Sequence, residues 1–199
     1  MRVTHALTNF VDAYCRTYPV LDTAYDPEWT SPCEIGEPYS GSDGERRIHW
    51  RPIARESADG DFAPLERALE TAVHPDIKAY YGAYWSGSLE AEAPDGHVSL
   101  LCLWNPDDIQ RLTENLIGHV LAGRRARGPL SIFFACTEPD SEYFLSVENA
   151  TGAVLLERPG SKPVRRVSDC LADFITTLVP ALPPGTPLPR TVGGSTPNA

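Results

Sequence analysis

Leu89-Glu90-Ala91-Glu92-Ala93-Pro94-Asp95-Gly96-His97-Val98-Ser99-Leu100 is the stretch on which the fold turns. Its first five residues alternate apolar and acidic side chains. That is the period of a strand buried on one side, and it sends Glu90 and Glu92 out from the same face. Asp95-Gly96 supplies a turn signal, and Val98 to Leu103, almost wholly apolar, reads as the hairpin partner. A helix follows. Asn105 is placed to cap it, Pro106 takes the first position, and Asp107 and Asp108 fall in the first turn, where the helix dipole favours acids. Ile109, Leu112, Leu116, Val120 and Leu121 form its apolar stripe, and Gly123 marks its expected stop.

Downstream, Ser131–Thr137, Tyr143–Val147 and Ala153–Leu156 read as three more strands. Ser168 is then expected to cap a closing helix with Leu171, Phe174, Ile175, Leu178 and Val179 turned inward. From Pro180 to Pro197 there are six prolines and no apolar period, the composition of a disordered tail.

Upstream, Leu7, Phe10, Val11, Tyr14 and Tyr18 predict a first helix, with Thr4 as its cap and Pro19 as its end. Residues 22–45 are rich in Pro, Gly, Ser and Asp and read as a long loop, most mobile from Ser40 to Gly44. Ile48 and Trp50 suggest a short strand closed by Pro52. A helix resumes near Pro64 with Leu65, Ala68, Leu69 and Ala72 on one side, and Glu66 and Glu70, four apart, on another. Pro75 opens one more helix, which buries Ile77, Tyr80, Tyr81 and Tyr84. The order is helices, then antiparallel hairpins, then one closing helix. It predicts an α+β single domain over 1–179 with a tail over 180–199, and it disfavours a Rossmann-type alternation.

In 199 residues, 17 Lys and Arg stand against 27 Asp and Glu, a formal charge of −10. That balance argues against nucleic acid and against docking on anionic lipid, both of which call for clustered cations. The charge is local. Between Glu56 and Glu114 lie twelve acids and three bases, a net of −9; residues 1–55 carry −2 and 115–199 carry +1. No apolar run reaches the length of a membrane span, and the first residues do not resemble a signal peptide. Five dispersed cysteines without CxxC spacing read as reduced thiols of a cytosolic protein, Cys102 and Cys136 as core residues.

There is no phosphate loop, no GxSxG, no HExxH and no dinucleotide fingerprint, and the five histidines lack ligand spacing. No catalytic residue, metal or cofactor is expected. His119 reads as a helical residue tying down a neighbouring backbone.

Glu114-Asn115-Leu116-Ile117-Gly118-His119, preceded by Trp104 and Asp107-Asp108, resembles Syd, the SecY-interacting protein family of bacteria. So do Ser31-Pro32-Cys33, Trp50-Arg51-Pro52, Glu66-Arg67-Ala68, then Pro75, Ile77 and Tyr81, and finally Ser86-Gly87, in order from Leu7 to Val179. The stretch Ser40–Arg47 and the proline-rich tail depart from the family pattern. The resemblance implies a non-enzymatic α+β domain of the SUKH superfamily, cytoplasmic and loosely associated with the inner membrane through SecY. It implies an acidic groove that binds the channel's basic cytoplasmic loops and sequesters SecY that is not properly assembled. With that partner, Glu66, Glu70, Glu90, Glu92, Asp107, Asp108 and Glu114 become the candidate partner-binding acids, chosen by charge and by strand or helix geometry. Two other readings stand beside it: a SUKH-type immunity protein that neutralises a toxin, and a hydrolase using clustered carboxylates.

Overall fold

Val3, Ala6, Leu7, Phe10, Val11 and Tyr14 recur at helical spacing and form the buried face of α1 (Arg2–Thr17). The computed structural model describes residues 2–58, 61–138 and 141–182. The helix starts at Arg2, so Thr4 lies inside it and is not its cap; Pro19 follows its end, as expected.

The segment expected to be a long loop instead holds two strands. β1 (Leu21–Ala24) and β2 (Glu34–Ser40) flank β3 (Arg46–Trp50) in a three-stranded antiparallel sheet. Their signal is weak because β2 contains Gly36 and Pro38, is exposed along most of its length, and breaks register between Ile35 and Tyr39. Residues 41–44 make the turn between β2 and β3, with Gly44 at φ 83°.

After the short β4 (Ile53–Ala54) come α2 (Ala63–Leu69), α3 (Pro75–Tyr81) and β5 (Tyr84–Trp85), which pairs with β4. α2 ends at Leu69, and Glu70 adopts a left-handed φ of 52°, so Glu66 and Glu70 do not share a helical face.

The main sheet has the order β11-β10-β9-β8-β7-β6-β12, and every neighbouring pair in it is antiparallel. Its strands are β6 (Leu89–Ala93), β7 (Gly96–Leu100), β8 (Ser131–Cys136), β9 (Phe144–Glu148), β10 (Val154–Glu157), β11 (Arg165–Ser168) and β12 (Val179–Pro180). α4 (Asp107–Arg125) runs past Gly123, and α5 (Leu171–Thr176) precedes β12. The protein is therefore α+β, as its element order indicates.

The opening hairpin pairs as read, Glu90 opposite Ser99 and Glu92 opposite His97, with Leu89, Ala91, Val98 and Leu100 buried on the other face. Tyr80 of α3 and Phe174 of α5 meet Phe134, whereas His119 of α4 meets Phe133 and Phe144. Helices thus cover both faces of the sheet. Cys170, not Ser168, caps α5 by accepting the Asp173 N–H. Val179 is 61% exposed because it belongs to an edge strand paired with β6, not to the helix. Cys136 is exposed, being the last residue of β8 and paired with Ser99 on the acidic face; all five cysteines are free thiols. The tail expected past Pro180 lies, from residue 183 on, outside the described residues.

Candidate functional site

Between the small sheet and the start of α4 lies a groove of about 490 Å³. Asp22 and Ala24 of β1, Glu34 of β2 and Trp50 of β3 form one side, with Asp26 and Trp29 from the loop that follows β1. Ser86, Gly87, Ser88, Cys102, Trp104 and Asp108 complete it.

Local chemistry builds each wall. The Asn105 side chain accepts the N–H groups of Asp107 (3.0 Å) and Asp108 (3.1 Å), the cap expected of it, and so fixes the first turn of α4. Asp108 turns back to accept the Trp104 N–H at 2.8 Å. The Trp104 indole donates to the Trp29 carbonyl at 2.9 Å, the Asn105 amide donates to the Thr30 carbonyl at 3.0 Å, and the Ser31 hydroxyl donates to the Trp104 carbonyl. These bonds join the loop after β1 to the approach of α4. Trp50 and Trp104 meet edge to face, with centroids 5.9 Å apart. Gly87 is needed at the floor, since a Cβ there would stand 2.9 Å from the Trp50 ring.

The groove lining holds four carboxylates and no Lys, Arg or His among the described residues. Two of the four are engaged from outside it. Arg47 pairs with Asp22, which also accepts the Tyr39 hydroxyl at 2.9 Å, and Arg111 reaches Asp108 at 3.5 Å. Burial pulls the Asp22 carboxyl upward, but its bonds from Arg47 and Tyr39 outweigh this and hold it below the ordinary value. Asp26 accepts the Glu28 N–H and Glu34 the Ser31 N–H, and neither forms an ion pair among the described residues. Burial pushes the Cys102 thiol up to about 12, so it stays neutral on the groove floor and is no nucleophile.

Of the seven acids singled out from sequence, Asp108 lines this groove and Asp107 sits exposed beside it. Glu114, farther along α4, is exposed and accepts from Gln110. Glu90 and Glu92 come together around His97. Glu90 lies 2.7 Å from Nε2 and also accepts the Ser99 hydroxyl, and Glu92 lies 3.4 Å from Nδ1. Their side chains differ in exposure, 14% against 60%. Glu66 accepts the Val73 N–H at 2.9 Å and pairs with Lys78, joining α2 to α3, while Glu70 is exposed. Asp22, Asp26 and Glu34 escaped the sequence reading because residues 1–55 are nearly charge-balanced. The usable signal was local: Trp29, Trp50 and Trp104, two of them with an acid within four residues.

A second cavity, of about 330 Å³, lies between the β6–β7 turn and α5. Val98, Leu145, Leu156 and Phe174 line it, and the 2.6 Å ion pair of Asp95 with Arg165 sits at its polar side, so it does not select for positive charge.

Residues 4–180 match the family model described as Syd protein (SUKH-2). The chain belongs to the Syd family. Among its relatives, the protein Syd of Pseudoalteromonas atlantica is 41% identical over 158 residues, covering 78% of this chain and 82% of the relative. That of Colwellia psychrerythraea is 37% identical over 191 residues, 88% of this chain and 92% of the relative. That of Alteromonas mediterranea is 36% identical over 182 residues, 90% and 97%. The Syd match takes in every residue lining the acidic groove and all seven acids named from sequence. No helix among the described residues is long and apolar enough to cross a membrane.

Proposed function

We propose that this Syd-family chain binds SecY, taking basic cytoplasmic segments of the channel into the acidic groove, and so restrains SecY that is not properly assembled. One observation carries the reading: a concave surface lined by Asp22, Asp26, Glu34 and Asp108 with no cationic side chain among its lining residues. A groove of that sign attracts cationic peptide and rejects anionic partners. Association with the cytoplasmic face of the inner membrane then comes through SecY, without lipid insertion. Glu70, Glu92, Asp107 and Glu114, exposed at other points of the surface, act through long-range attraction. Glu66 and Glu90, already engaged by Lys78 and by Ser99 and His97, add charge more than contact. The role is one of binding, not catalysis.

Detergent-solubilised SecY, or peptides of its cytoplasmic loops, titrated against this chain at rising salt tests it. Affinity is expected to fall steeply as salt screens the charges. The double reversal Asp26→Lys, Glu34→Lys should weaken binding by about tenfold or more. Because it also removes the acceptors of the Glu28 and Ser31 N–H groups, Asp26→Asn with Glu34→Gln, which keeps an acceptor oxygen at each position, separates lost charge from lost stability. Binding that ignores both salt and the double reversal would overturn the reading.

A further inference from the structure

Arg111 lies with its guanidinium 4.9 Å from the centre of the Trp29 ring and 3.5 Å from Asp108. Trp29 and Asp108 both line the groove. A flat cation is thus placed against an aromatic face and a carboxylate at once, the pairing for which a guanidinium is suited and a compact ammonium is not. The other groove carboxylate in an ion pair, Asp22, is also held by a guanidinium: Arg47 donates to it through Nε at 3.0 Å and through a terminal nitrogen. The Arg111 contact is exposed, its side chain 64% accessible, so it is weak and open to exchange.

We infer that Trp29 and Asp108 form an arginine-selective shelf at the groove, occupied in the free protein by Arg111 and yielded to an arginine side chain of the basic partner. The inference rests on the groove being the partner site and adds to it which cation the groove prefers. Coulomb attraction alone treats lysine and arginine alike. Stacking on Trp29 with a carboxylate alongside adds a term that only the planar cation uses fully. Arg111 is then both a model of the bound state and its intramolecular competitor.

The test needs two peptides without aromatic residues, equal in length and charge, one with every cation an arginine and the other with every cation a lysine. Isothermal titration calorimetry with the full chain is expected to give about three- to tenfold tighter binding of the arginine peptide. Trp29→Leu should remove most of that preference while leaving lysine-peptide affinity nearly unchanged. The hydrogen bonds of Trp29 run through its backbone, and an unchanged thermal midpoint would show that the variant is folded. Arg111→Gln should tighten the arginine peptide more than the lysine peptide. Equal affinity for both peptides in the unaltered protein would overturn the shelf while leaving a charge-driven groove intact. Binding of neither peptide would overturn the groove itself.

Discussion

His97 stands between Glu90 and Glu92 with only 6% of its side chain exposed, which makes its protonation part of the stability of the hairpin. Burial by itself lowers an imidazole pKa. Here the hydrogen bonds to Glu90 and Glu92 outweigh it, and His97 titrates above its ordinary 6.5. A raised pKa in the folded state gives stability that is fully present below the unfolded value and is lost as pH rises through the folded one. His97→Gln is therefore expected to cost more at about pH 6 than at about pH 9, read as the gap in thermal midpoint from the unaltered protein. A constant gap across that range would mean that the imidazole is not charged where the hairpin holds it. His119 behaves in the opposite way. Burial between Phe133 and Phe144 lowers its pKa despite the attraction of Glu157, and it meets the Ser131 side chain as a neutral ring.

At the scale of elements, two adjacent buried tyrosines of α3 bond to the backbone of β8. The register between β8 and β9 shifts between Phe133 and Ala135, and within that shift the Phe134 carbonyl also accepts the Leu101 N–H at 2.9 Å. Tyr81 donates to the Phe133 carbonyl at 2.9 Å and Tyr80 to the Phe134 carbonyl at 3.3 Å, tying α3 to the bulge. Tyr81→Phe keeps the ring and removes that donor. It is expected to lower stability by about 1 kcal/mol, seen as a lower urea midpoint with an unchanged slope. An unchanged midpoint would show the carbonyl to be satisfied in another way. Such features also mark how far the sequence could be read. α1, α3, α4 and the β6–β7 hairpin were legible because burial imposes a period on their residues. β1 and β2 were not: Leu21 is their only buried residue, one is four residues long, and the other carries a glycine and a proline. For the same reason only one of the groove's four acids was legible. Asp108 announced itself through a helix start, but Asp22, Asp26 and Glu34 gather only when β1, β3 and β2 pair, and nothing local records that pairing.

For the molecule as a whole, the last described strand returns to the main sheet. β12 closes the main sheet against Glu92 and Ala91 of β6, and the Tyr18 hydroxyl, just past the end of α1, reaches the Pro180 carbonyl, so the last described strand is tied to the first helix. We propose that the folding unit ends there, in line with a family match that stops at residue 180. A chain ending at Leu182 is expected to unfold at the same temperature as the full chain by scanning calorimetry, whereas one ending at Leu178 should unfold lower because the β6 edge loses its partner. Equal midpoints for all three would deny β12 a structural part. The net charge takes on a different meaning at this scale. The hairpin and the first turns of α4 hold six of the twelve acids between Glu56 and Glu114, whereas the concave part of the surface draws three of its four acids from the nearly neutral first quarter.

Three of the four tryptophans, Trp29, Trp50 and Trp104, line the groove, and the fourth, Trp85, lies under the Arg55 guanidinium 3.9 Å away. The ultraviolet emission of this protein is consequently weighted toward the acidic groove, the surface proposed to meet a partner. Replacing Trp85 with phenylalanine would leave every emitting indole in the groove, turning an unlabelled molecule into an optical gauge of its own occupancy.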